Sequence, residues 1–211
     1  MSEAEVVSQP GVVVGEDGLA RCSWADSTPE YRAYHDTEWG YPVADDRRLF
    51  EKLCLEGFQA GLSWLTILRK REAFREVFRN FDYDQVADFG PDQVAALMDD
   101  ARIVRNRAKI EAVINNAQRA VELTAQEGSL AHLIWDYEPA NARPAPTAGE
   151  VPAATAESKA LSKELKRRGW RFTGPTTVYA FMQAMGLVND HLDGCHVRAS
   201  VDAARAEFKR P

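Results

Sequence analysis

The chain has 211 residues, 45% of them hydrophobic, enough for one large domain or two small lobes with a sizeable core. No run approaches the ~18 apolar residues that cross a membrane, the N-terminus lacks a signal-peptide pattern, and three cysteines are too few for a disulfide scaffold, so the expectation is a soluble cytoplasmic protein. The net charge of −6 argues only mildly against a nucleic-acid partner: Glu3, Glu5, Glu16 and Asp17 stand in a lead with no Lys or Arg, which leaves −2 on the rest.

In chain order, residues 1–20 have no helical period and predict a flexible acidic tail. Cys22 and Trp24 open a folded part expected over 21–196. Asp45-Asp46 start a helix with Leu49, Phe50, Leu53 and Cys54 at helical spacing, and Gly57 is expected to end it, with Glu56 in the last turn. Helical pattern continues over Leu62–Arg69 and Glu72–Arg79, restarts at Pro91, breaks from Asp99 to Asn106, and resumes in a long amphipathic run carrying Ile110, Val113, Ile114 and Ala117. The Pro/Ala-rich stretch 138–155 reads as an exposed loop joining two helical lobes. Helices resume at Ala156, after a Thr155 cap, and at Gly174-Pro175, and residues 197–211 read as an alanine- and charge-rich tail or frayed helix. Strand-like alternation is nearly absent, so the predicted fold class is all-α.

Three constellations carry chemistry. Cys22 and His35 near the start, with His191 and Cys195 four residues apart near the end, supply two thiols and two imidazoles. Zinc takes four such ligands tetrahedrally, and a closed shell is structural. The spacing is also compatible with ordinary cysteines and hydrogen-bonded histidines, and His196 is a rival ligand, with Asp190 or Asn189 as a supporting partner. The second constellation is basic: Arg102, Arg105, Arg107 and Lys109 crowd the break before the long helix, either as a solvated charged turn or as a grip on phosphate at a helix N-terminus. A further set, Lys163, Lys166, Arg167, Arg168 and Arg171, reads as a solvated face. The third is the stretch from Tyr31 to Trp64, where Tyr31, Tyr34, Trp39, Phe58 and Trp64 surround Glu56. A carboxylate among aromatics suits a pocket that stacks a flat, electron-poor ring.

The motifs Cys-x-Trp at 22–24, Tyr-x-x-Tyr-His-Asp-x-Glu-Trp-Gly at 31–40, Leu-Glu-Gly-x-Gln-Ala-Gly-Leu-Ser-Trp at 55–64 and Phe-Met-Gln-Ala-x-Gly-Leu-Val-Asn-Asp-His at 181–191 resemble the DNA-3-methyladenine glycosylase I family of bacterial repair enzymes, in the same order from about Arg21 to Cys195. The resemblance implies an all-α helix-hairpin-helix fold and a structural zinc site of Cys22, His35, His191 and Cys195. It further implies a base pocket of Glu56, Tyr31, Tyr34, Trp39 and Trp64, with Trp24 close by, Glu56 and Tyr34 nearest the chemistry. Gly61 and Leu62 then fall on a loop that enters the duplex, and Arg102, Arg105 and Lys109 on the backbone grip, although Arg102 and Ala108 stand where such turns rely on glycine.

The implied reaction is hydrolysis of the N-glycosidic bond of 3-methyladenine in double-stranded alkylated DNA, by a monomer that flips the nucleotide. No lysine stands in the pocket motifs, so the expectation is a hydrolase without lyase activity. Two other classes remain compatible with the residues. A non-catalytic zinc-stabilised DNA-binding module would not need Glu56, and a purine-binding protein would not need the basic turn.

Overall fold

The computed structural model describes residues 10–141 and 143–211. The described chain begins with a two-stranded antiparallel hairpin, β1 (Val12–Val14) and β2 (Ala20–Cys22), in which Val12 faces Cys22 and Val14 faces Ala20. This corrects the tail expected over 1–20 for residues 10–20, and it adds strands to a chain read as purely helical; residues 1–9 lie outside the described residues. Three β-branched valines favour extended backbone. The hairpin is locked by Arg21, which is buried between the carboxylates of Asp17 (2.7 Å) and Asp36 (2.8 Å).

The rest is helical. The elements are α1 (Pro29–Thr37), α2 (Asp46–Gln59), α3 (Trp64–Val77), α4 (Tyr83–Ala87), α5 (Pro91–Asp99), α6 (Arg107–Glu127), α7 (Leu130–Trp135), α8 (Ala156–Arg167), α9 (Pro175–Ala184) and α10 (Arg198–Glu207). Thr28, Asp45, Ser63, Asn106, Ser129 and Thr155 each accept a backbone N–H as N-caps, which fixes where these helices start. No helix of the described residues is long and apolar enough to cross a membrane.

Three helix boundaries differ from the sequence reading. Gly57 does not end α2, which runs on to Gln59. A Cβ at Gly57 would stand 3.2 Å from the Cβ of Phe172, so glycine serves close packing there rather than termination. The two segments expected at 62–69 and 72–79 are one helix, α3, starting at Trp64. The expected C-terminal tail contains α10, whose Val201 is fully buried.

Helix α2 is the centre of the molecule, packing against α3, α6, α7 and α9. Its Leu49, Phe50, Leu53 and Phe58 are fully buried with Phe74 of α3, Phe78 just after it, Phe81, and Phe181 and Met182 of α9. Each such side chain contributes about 1.5–3 kcal/mol by leaving water. The N-terminus of α2 is tied to that of α7: the Asp46 carboxylate accepts from Ser129 Oγ (3.0 Å), Leu130 N (3.0 Å) and Ala131 N (2.7 Å). A smaller apolar cluster of Cys22, Leu192, Cys195, Val197 and Val201 joins the hairpin to the C-terminal segment.

Candidate functional site: an aromatic cavity beside a buried Cys2His2 cluster

A cavity of about 410 Å³ opens between the 3-10 turn at Ser23–Ser27, α1, α2 and the start of α3. It is lined by all six residues predicted for the pocket, Trp24, Tyr31, Tyr34, Trp39, Glu56 and Trp64. Tyr31 and Tyr34, three residues apart on α1, share one helical face. Trp24 meets Tyr31 edge-on at 5.4 Å and Trp39 at 5.2 Å, and Tyr34 lies 5.4 Å from Trp64. The Tyr31 hydroxyl accepts the Leu65 N–H at 2.8 Å, which pins α1 to the first turn of α3. Burial, with the Glu56 carboxylate nearby, holds the Tyr34 phenol well above its usual range, so it stays protonated. The buried indole N–H of Trp64 has no acceptor among the described residues.

Glu56 does not stand alone. Lys52, one turn upstream on α2, places Nζ 2.6 Å from Glu56 Oε1 and 3.2 Å from the centroid of the Trp64 ring. Both side chains are deeply buried, Lys52 at 6% and Glu56 at 5% exposure. Burial pulls the Lys52 ammonium below the usual lysine range, and Glu56 works in the opposite direction. The pocket motifs themselves contain no lysine, as expected, but the cavity does. Lys52 precedes the Leu-Glu-Gly motif, outside the stretch where the pocket is written. Asp190 also faces the cavity, held by the Tyr179 hydroxyl and by Gln183 Nε2 (2.9 Å). Its other oxygen has no hydrogen-bond partner among the described residues and lies 3.8 Å from Arg143 Nη1.

The four predicted metal ligands converge behind the Trp24–Trp39 wall. Cys22, His35, His191 and Cys195 are buried, and their donor atoms lie within 4.8 Å of one another. Cys195 Sγ is 3.5 Å from both His35 Nε2 and His191 Nδ1, and the two imidazole nitrogens are 3.2 Å apart. Bond lengths of about 2.0–2.3 Å at tetrahedral angles put neighbouring zinc ligands about 3.3–3.8 Å apart, close to these three separations, so the four residues could hold a tetrahedral zinc ion. The outer nitrogens are already held, His35 Nδ1 by Asp36 (2.8 Å) and His191 Nε2 by the Trp39 carbonyl (3.0 Å). These, rather than Asp190, support the rings, while Asn189 Oδ1 accepts the His191 N–H at 3.2 Å. His196 stands apart, 3.3 Å from Asp36.

The basic turn is less open than its sequence suggests. Lys109 is buried, and its Nζ donates to the carbonyls of Phe58 (2.8 Å) and Ala60 (2.6 Å) at the C-terminus of α2, so it is not free to meet a phosphate. Arg102 is exposed but paired with Asp100 (2.8 Å) and Glu76 (2.7 Å). Arg105 is exposed, with no ion pair among the described residues. Arg167 and Arg168 both pair with Glu164 on α8. Leu62, in the α2–α3 loop, is 42% exposed, and Gly61 beside it has a φ of +80° that favours glycine.

A helical frame that brings five aromatic rings and a buried carboxylate to one cavity has the chemistry to hold a flat, electron-poor ring. Residues 24–199 match the model of the methyladenine glycosylase family, and the chain belongs to that family. It is 46% identical over 181 residues to DNA-3-methyladenine glycosylase 1 of Escherichia coli K12, covering 84% of this chain and 96% of that protein. It superposes on a solved 3-methyladenine DNA glycosylase I with a TM-score of 0.81 at 44% identity, covering 83% of this chain and 98% of that one. A solved variant of a 3-methyladenine DNA glycosylase I, in complex with 3-methyladenine, gives 0.80 at 36% identity over 84% and 97% of the two chains.

Proposed function

We propose that this chain is a base-excision repair glycosylase that hydrolyses the N-glycosidic bond of 3-methyladenine in alkylated double-stranded DNA. The observation that carries the reading is Glu56, a carboxylate buried in an aromatic cavity and already engaged with a cation. Methylation at N3 makes the adenine cationic, so the base leaves neutral, taking the bonding electrons of the N-glycosidic bond, and needs no general acid. Water then bonds to C1′ and gives up a proton. The pocket's task is to hold the flipped cationic base. Aromatic faces attract it by about 0.5–2 kcal/mol each, and Glu56 accepts hydrogen bonds from its edge. Tyr34, kept protonated, is placed to donate in the same space.

The surrounding parts support a duplex substrate. Exposed Leu62 on a glycine-hinged loop suits a wedge that fills the gap left by the extruded base. In this reading helices α5 and α6, joined by the 100–106 turn, would serve as the helix-hairpin-helix, with Arg105 and the α6 N-terminus offered to phosphate. Zinc held by Cys22, His35, His191 and Cys195 would have all four positions closed, so its contribution is structural. Lys52 is engaged with Glu56 and Trp64 as an ammonium, which is not a nucleophile, so we retain a hydrolase without lyase activity. A non-catalytic DNA-binding module is the weaker reading, since it has no use for a carboxylate buried in a cavity.

The test is release of free base from methylated duplex DNA by wild type and Glu56→Gln. Wild type is expected to release 3-methyladenine, and the variant to lose on the order of 10²-fold or more, the scale of one preorganised electrostatic contact. No release from folded wild-type protein would leave the DNA-binding reading in its place.

A further inference from the structure

We propose that Lys52 is a specificity-determining residue: it occupies the base site of the empty enzyme as a resident cation, which a cationic base displaces and a neutral base does not. The proposal rests on the reading of the aromatic cavity as the base site. A positively charged purine needs two things from this cavity, the Glu56 carboxylate and an aromatic face. The Lys52 ammonium sits on both, 2.6 Å from Glu56 Oε1, 3.2 Å from the Trp64 centroid and 5.2 Å from the Tyr34 centroid. It is the charge equivalent of the ligand, supplied by the chain.

A buried carboxylate without a cation is costly, and Lys52 removes that cost at rest. Entry of a cationic base exchanges one cation beside Glu56 for another. Entry of unmodified adenine, which DNA presents in vast excess, would either leave Glu56 with no cation or leave the ammonium in the space the ring needs. The resident cation thus disfavours the wrong base, where aromatic stacking alone accepts both.

The displaced side chain has somewhere to go. On its other side Lys52 borders a small cavity of about 30 Å³, lined by Glu38 and Arg71, and by Glu51, Arg48 and Arg75. Glu38 is paired with Arg71 at 2.6 Å and Glu51 with Arg75 at 2.8 Å, so the ammonium would join existing ion pairs rather than an apolar wall. The charged and titratable groups lining the two cavities that Lys52 borders are thus Glu56, Glu51 and Arg48 on its own helix, Tyr31, Tyr34 and Glu38 from α1 and its end, Arg71 and Arg75 from α3, and Asp190 from the segment after α9.

The experiment measures KM and kcat for 3-methyladenine release from methylated duplex DNA, and release of unmodified adenine, for wild type, Lys52→Met and Lys52→Arg across pH. Removing the competitor in Lys52→Met is expected to lower KM about tenfold, the worth of one charge-assisted contact, and to raise adenine release relative to 3-methyladenine. In wild type, KM should fall as pH rises through the lysine's titration, because the neutral amine no longer competes. Lys52→Met should lack that limb with a low KM, and Lys52→Arg should lack it with a high one. Wild-type KM and pH profile retained in a folded Lys52→Met, or a loss confined to kcat, would overturn the proposal. Wild-type release that Glu56→Gln leaves intact would instead sink the reading of the cavity.

Discussion

Lys109 shows how one side chain changes meaning between sequence and structure. In a run of Arg102, Arg105 and Arg107 it reads as a phosphate contact, yet its ammonium is spent on the Phe58 and Ala60 carbonyls at the end of α2. A cation there answers acceptors that the helix leaves unpaired. Lys109→Ala is therefore expected to destabilise the fold by about 1–3 kcal/mol, read as a lower Tm, while the salt slope of duplex binding stays as in wild type. A slope reduced by about one unit, with Tm held, would return Lys109 to the phosphate grip. Lys52 escaped the sequence reading for a related reason. Between Leu49, Phe50, Leu53 and Cys54 it looks like the wet face of an amphipathic helix, and only the approach of Trp64 from the next helix makes its position internal. The convergence of Cys22, His35, His191 and Cys195 and of the cavity aromatics is legible because Cys, His and Trp are scarce in this chain and cluster. The groups that hold His35 and His191, Asp36 and a main-chain carbonyl, are not. A carbonyl has no residue type, and Asp36 is one acidic residue among many.

At the scale of elements, the helix starts at Asp45 and Thr155 are readable from the capping side chain, and the one after Asn106 from the break before it, whereas the equally capped starts at Thr28 and Ser129 head short helices with too few turns to show a period. The readings failed where tertiary contact overrides local preference. Gly57 serves close packing against Phe172, 3.2 Å from where a Cβ would stand, rather than helix termination, and strands of three residues are too short to display alternation. The α2–α3 loop joins these themes. Its first carbonyl is held by Lys109, its glycine permits the turn, and the first turn of α3 is anchored on Tyr31. Leu62 is thereby presented outward on a loop fixed at both ends. Leu62→Ala is expected to slow base release from duplex DNA about tenfold or more, while release from single-stranded methylated DNA changes little, since there is no stack to wedge. Equal losses on both substrates would show that the residue serves the pocket rather than the duplex.

Across the whole molecule, the Cys2His2 cluster joins the hairpin end, α1 and the segment before α10. Arg21 extends the connection, bridging Asp17 of the hairpin turn to Asp36, which in turn holds His35. Stripping metal with a strong chelator is expected to lower Tm by several degrees, about what 1–2 kcal/mol produces in a protein of this size, and added zinc should restore it. An unmoved Tm would mean that no ion is held there. The same cluster has a temporal side. Its donors come in two pairs, Cys22 with His35 and His191 with Cys195, separated by about 150 residues of chain. Either pair alone offers half a coordination shell, so an ion bound there would close a loop of about 150 residues only once both segments have come together in folding.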